Sequence, residues 1–191
     1  MNRRTFLHLS GGSAAVALLT PQLLAQTAPS APAAAKQPPP HPPALSAEKV
    51  QAVVAQAHRS LDEVRQLVEA MPLLVNACWD WGGGDFETPL EAAAHTGQRA
   101  IAEFLLAHGA RPSLFSAAML GQLELVQAFH VIDPKAHAIV GPHGFTVLHC
   151  AKRGGDAAKP VVDWLLAHGA SAESNVGLKV IWPAGTEPKT P

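Results

Sequence analysis

Leu105-Leu106-Ala107-His108-Gly109-Ala110 recurs letter for letter as Leu165-Leu166-Ala167-His168-Gly169-Ala170. A repeat of that quality marks an architecture built from copies of one unit. Each copy closes an amphipathic run, Ile101, Phe104 and Leu105 in one case and Val161, Trp164 and Leu165 in the other. That i, i+3, i+4 spacing puts the apolar side chains on one helical face. Gly109 and Gly169 follow as helix stops, since glycine takes the left-handed backbone that ends a helix at no steric cost.

Upstream of each run stands a second, smaller helix start. These read Thr88-Pro89-Leu90-Glu91-Ala92-Ala93-Ala94-His95-Thr96-Gly97 and Thr146-Val147-Leu148-His149-Cys150-Ala151, with Ser113-Leu114-Phe115-Ser116-Ala117-Ala118-Met119-Leu120-Gly121 between them. An earlier, looser copy runs from Val53 to Val68. The leading apolar residues are Val53, Leu90, Leu114 and Leu148, spaced 37, 24 and 34. Each unit thus predicts two short antiparallel helices, the first Ala-rich so that a neighbour can approach closely. Thr88 with Glu91 and Ser60 with Glu63 have capping-box spacing, and Pro89 and Pro160 suit a first helical turn. One such pair cannot bury its own apolar face, so the units must stack into a continuous core.

The pattern resembles the ankyrin repeat, Thr-Pro-Leu-His-x-Ala with a period near 33. The resemblance covers about Glu48–Glu173 and is sharp in the second and fourth units, degraded in the first and third. It implies an all-α solenoid of about four helix-pair repeats with two hairpin-like finger loops. It also implies a protein partner along the fingers and the concave first helices, and no catalysis. Carried over residue by residue, the first finger is Trp79-Asp80-Trp81-Gly82-Gly83-Gly84-Asp85-Phe86-Glu87, long for the family, which has Gly where Phe86 stands. Large aromatic rings among acids are typical interface anchors. The second finger is missing, because only Pro112-Ser113 separate Arg111 from Leu114. The last finger, Asp133–Phe145, carries His137, His143 and Phe145.

The resemblance also marks the two positions before each unit's glycine as partner-facing: His95-Thr96, Met119-Leu120 and Arg153-Gly154. The expected partner-binding set is therefore Trp79, Trp81, Asp85, Phe86, Glu87, His95, Met119, Leu120, His143, Phe145 and Arg153. The missing finger predicts a pocket floored by Met119 and Leu120 and walled by Trp81, Phe86 and Phe145. The rival expectation is that the flanking fingers close over Met119 and Leu120 and bury them.

Ahead of the repeats, residues 1–25 hold Arg3-Arg4, then Phe6-Leu7, then a short apolar stretch, Ala14–Leu19, stopped by Pro21. This is too short and broken for a membrane span of about 20 apolar residues. It resembles a bacterial twin-arginine export signal, with His8 where the family often has Lys. That implies a periplasmic protein exported already folded, with cleavage after Ala25 or, second, Ala33. Residues 26–45 contain seven prolines and read as an extended spacer. The repeat domain is placed at 46–175, and 176–191 as a tail in which Val180-Ile181-Trp182 could cap the last unit.

Charge and chemistry exclude other classes. The chain has 14 basic and 15 acidic side chains, and loss of Arg3 and Arg4 with the signal leaves the mature part at −3. Without a basic cluster, nucleic acid and anionic membrane are not expected partners, and the chain is expected to be monomeric. There is no H-E-x-x-H, no G-x-S-x-G, and Gly82-Gly83-Gly84 lacks the Lys-Ser/Thr of a phosphate loop. No catalytic residue is assigned. His130, His137, His143 and His149 are spaced 7, 6 and 6, without the i, i+4 or two-to-five-residue spacing usual for zinc ligands. The histidines are therefore expected to be structural, with no metal and no cofactor. Cys78 and Cys150 fall in the first and fourth units, too far apart for a disulfide. The leading function is protein binding. The alternatives are an inhibitor or protective module for a co-exported enzyme and, behind it, a small-molecule or enzymatic site in the finger gap.

Overall fold

Four helix pairs form where the repeat pattern puts them. The computed structural model describes residues 43–171; the segment expected to be an export signal, the expected spacer before residue 43 and the tail at 176–191 lie outside the described residues. The pairs are α1 (Ala47–Ala57) with α2 (Leu61–Ala70), and α3 (Pro89–Thr96) with α4 (Arg99–Ala107). They continue with α5 (Leu114–Leu120) and α6 (Leu123–Ile132), then α7 (Val147–Arg153) and α8 (Lys159–Ala167). Thr88 and Glu91 make a full capping box, and Ser113 makes one with Ser116, a serine standing in for the usual acid. Gly97 and Gly121 end α3 and α5 in the left-handed conformation, both at φ 77.

The first helices α1, α3, α5 and α7 pack one against the next, with the second helices behind them. Ala92, Ala93, Ala94, Ala117, Ala118 and Ala151 are fully buried between them. Their small side chains let backbones approach, while Leu90, Leu105, Leu148 and Leu165 fill the space between layers. Asn76 ties the first unit to the second, donating to the Gly109 carbonyl at 2.9 Å and accepting from the Arg111 N–H at 2.9 Å.

The first finger is a two-stranded antiparallel hairpin, β1 (Trp79–Asp80) and β2 (Phe86–Glu87), with Trp79 opposite Glu87 and Asp80 opposite Phe86. Its tip turns on Gly82, Gly83 and Gly84, all at positive φ, and the Asp80 carboxylate accepts the N–H groups of Gly82 and Gly84. The glycine run is thus a turn device. The last finger is looser, with a single bridge between Val140 and Thr146.

With no second finger in between, the units on either side meet. Helices α3 and α7 are in direct contact although α5 separates them in sequence. The His149 ring Nε2 lies 3.0 Å from the His95 carbonyl, and Arg153 donates to the Thr96 carbonyl at 2.8 Å. A Cβ on Gly97 would fall 2.7 Å from the Arg153 carbonyl, and one on Gly154 would fall 2.0 Å from that of Met119. Met119 is fully buried beneath this convergence. The pocket floored by Met119 is therefore corrected to its rival: the flanking elements close over it, and Leu120 stays half-buried. Cys78 and Cys150 are free thiols, as their separation in the repeat order implies.

Candidate functional site

The finger deletion brings the last finger onto the first. Asp85 accepts two hydrogen bonds from His143, one from its backbone N–H at 2.9 Å and one from its ring Nδ1 at 2.6 Å. His143 sits at φ 56, a left-handed conformation that costs a non-glycine residue energy and persists only when its surroundings impose it. Asp85 is what imposes it here.

Below this contact lies Glu87, a carboxylate with no solvent exposure. Three imidazoles surround it. His58 Nε2 and His143 Nε2 each lie 3.4 Å from Oε2, and His95 Nδ1 lies 3.2 Å from Oε1. Trp81 donates its indole N–H to Oε2 at 2.7 Å. The His95 Nδ1 and Glu87 Oε1 atoms have no hydrogen-bond partner despite their approach. The outer nitrogens are fixed: Nδ1 of His58 is 3.0 Å from the Val54 carbonyl, and Nδ1 of His143 is held by Asp85. Each of the four side chains offers one donor atom, and the four atoms all lie within 4.8 Å of one another. These are the described residues able to hold a metal ion.

The environment separates the imidazoles. Burial holds His95 down at about 4, against a weaker upward pull from Glu87, so its ring is neutral at pH 7. Contact with Glu87 lifts His58 above its ordinary value and outweighs the opposing effect of burial. Phe145 stacks between His95 and His149, at ring-centroid distances of 4.7 and 4.2 Å, and closes the inner side. On the outer side a cleft of about 410 Å³, lined by Ala55, His58, Arg59, Trp81 and His143, reaches solvent.

A second cleft, of about 360 Å³, occupies the finger gap between Phe86 on one side and Val140 and Pro142 on the other, with Phe115 and Glu91 also lining it. Phe86 is 60% exposed and Trp81 39% exposed. The expected partner-binding set thus divides. Trp81, Phe86 and Arg153 are exposed, and Trp79, Asp85, Leu120, His143 and Phe145 are partly covered. Glu87, His95 and Met119 are buried and have no surface to give a partner, which corrects their assignment. Phe115, Val140 and His58 escaped the sequence reading. The first lies inside a helix start, the second in a loop with no pattern, and the third in the most degraded unit.

The ankyrin-repeat family model matches residues 85–115 and 143–176, the second and fourth units with the last three residues of the finger that leads into each. These segments are ankyrin repeats. With the helix pairs before the first match and between the two, they make the fold an all-α ankyrin-repeat solenoid. Ankyrin repeats are generally protein–protein interaction modules and typically non-catalytic. No curated protein matches the chain. Among the described residues no helix is long and apolar enough to cross a membrane.

Proposed function

We propose that the chain is an exported protein-binding module, without catalysis of its own, whose finger face takes a protein partner in the periplasm. The observation that carries this reading is Phe86. A large apolar ring 60% exposed on a hairpin fixed by its own turn, beside a cleft between two fingers, costs solubility unless something covers it. Rigid aromatic anchors next to a concavity are the usual centre of an interface. Trp81 and Val140, both exposed, would frame the contact, with Arg153 at its rim. The export half rests on Arg3-Arg4 and the short apolar stretch that follows.

A photo-crosslinking side chain placed at position 86, compared with one at the exposed Glu124 on α6, tests the binding half in intact cells. The reading expects a discrete adduct from position 86 and none from position 124. Equal patterns from both positions would refute the placement. Replacing Arg3 and Arg4 by lysine should leave the precursor in the cytoplasm; unchanged export would refute the route.

A further inference from the structure

We propose that His58, Glu87, His95 and His143 form a binding site for one divalent transition-metal ion of the zinc type, which staples three parts of the solenoid together. This goes beyond partner binding and does not depend on it.

Glu87 is the centre of the cluster. A carboxylate with no exposure needs its lone pairs satisfied, and Trp81 serves only Oε2. Oε1 and the facing Nδ1 of His95 are both orphaned while 3.2 Å apart. Two unpaired buried polar atoms at that distance, neither aligned on the other, are costly as they stand. The approaches of His58 and His143 to Oε2, at 3.4 Å, are also long for charge-assisted hydrogen bonds, which run at about 2.7–2.9 Å. They suit a different occupant. Around a tetrahedral zinc ion with bonds of about 2.0–2.1 Å, neighbouring ligand atoms stand about 3.4 Å apart. His58 and His143 stand at that spacing from Oε2, each at 3.4 Å, and the four donor atoms, one from each residue, all lie within 4.8 Å of one another.

The outer contacts follow the same logic. A metal-bound imidazole normally has its second nitrogen held by a carboxylate or a backbone carbonyl, which fixes the tautomer and turns the lone pair inward. Asp85 does this for His143 and the Val54 carbonyl for His58. Trp81 orients the Glu87 carboxylate. The strained His143 backbone aims its ring at the cluster. The outer cleft lined by His58, Arg59 and Trp81 is an entry path.

The donor set selects the ion. Three imidazoles and one carboxylate suit zinc, copper, iron or nickel, whereas magnesium and calcium prefer oxygen ligands throughout. The ligands come from the end of α1, from β2, from α3 and from the last finger. An ion there holds the first unit, the second unit and the finger of the fourth in one arrangement, bridging the gap that the deleted finger leaves.

The test uses the full mature chain without an affinity tag, stripped by a chelator and titrated with Zn²⁺ by calorimetry and with Co²⁺ by visible absorption. The expected result is one equivalent bound per chain, intense four-coordinate Co²⁺ bands and a higher melting temperature with metal. Glu87→Gln and His95→Ala should each weaken binding at least 100-fold, while His108→Ala, outside the cluster, should change nothing. His58→Ala alters a partly exposed side chain at a helix end; should the buried variants fail to fold, its loss of at least tenfold carries the test. Failure of the wild type to bind stoichiometric metal would overturn the proposal. So would folded Glu87→Gln or His58→Ala protein that binds as tightly as wild type, or a preference for Mg²⁺ or Ca²⁺ over Zn²⁺.

Discussion

Asp85, on the first finger, binds both the backbone N–H and the ring Nδ1 of His143, on the last finger, at 2.9 and 2.6 Å. The two residues stand 58 apart in sequence on successive fingers, since only Pro112-Ser113 separate Arg111 from Leu114 where another finger would stand. This contact forces a histidine into left-handed backbone and sets it over Glu87. The irregularity in the repeat spacing is therefore what assembles the histidine cluster.

Asp85→Ala should release the last finger. Hydrogen bonds to a charged group contribute about 1.5–3 kcal/mol each, and the strain relieved at His143 offsets about 1–3 kcal/mol of the loss. A net cost of about 1–3 kcal/mol in urea unfolding is expected. Asp85→Asn, which still offers an oxygen to the His143 N–H, should cost about half as much. Amide exchange at residues 140–145 should speed up in the Ala variant. Unchanged exchange there would mean that Asp85 does not hold the finger.

Met119 was expected at the floor of a partner site and is instead fully buried under the meeting of α3, α5 and α7. Met119→Ala should therefore act on stability, at about 2–5 kcal/mol, as for other large-to-small core changes. A variant of undiminished stability with weakened partner binding would return Met119 to the surface role.

The helix pairs were legible because each carries its own signals: an apolar face in Ile101, Phe104 and Leu105, a cap in Thr88 and Glu91, a stop in Gly109. Those are local, and local signals survive in sequence. The missing finger was legible too, as a short spacing. Its consequence was not, since the contact of α3 with α7 depends on how units tilt once a finger is absent. The histidine cluster was hidden for the same reason. His58, Glu87, His95 and His143 come from four elements in three units, so no ligand spacing along the chain records them. Sequence spacing groups His143 with His130, His137 and His149, and the structure groups it with Glu87 instead.

Gly154 is held to glycine by proximity, because its backbone, at φ −73, is open to any residue. An added Cβ would meet the Met119 carbonyl at 2.0 Å and the Ala158 Cβ at 2.6 Å. Backbone cannot yield as a side-chain tip does, so Gly154→Ala should push the fourth unit off the third. Overpacking of this kind costs about 1–3 kcal/mol or more. Gly155→Ala, next in sequence, meets nothing within 4 Å, and its cost should come from its positive φ alone. Limited proteolysis should cut the Gly154 variant between the third and fourth units. Equal stability of the two variants would show that contact does not restrict Gly154.

The two thiols should differ in reach and in acidity. Burial pushes Cys150 up to about 12, and its side chain is closed off beneath the inner helices. Cys78 is exposed, with its pKa raised above the ordinary value by partial desolvation and by nearby Glu91. The thiolate is the reactive form, so a raised pKa lowers reactivity below it, and the rate should climb as pH rises toward that pKa. Titration with an aromatic disulfide reagent at pH 8 should count one slow thiol per native chain and two after unfolding. Two fast thiols in the native protein would mean that the inner helix layer opens around Cys150. A native Cys78 that reacts faster than a free thiol at pH 8 would contradict the upward shift.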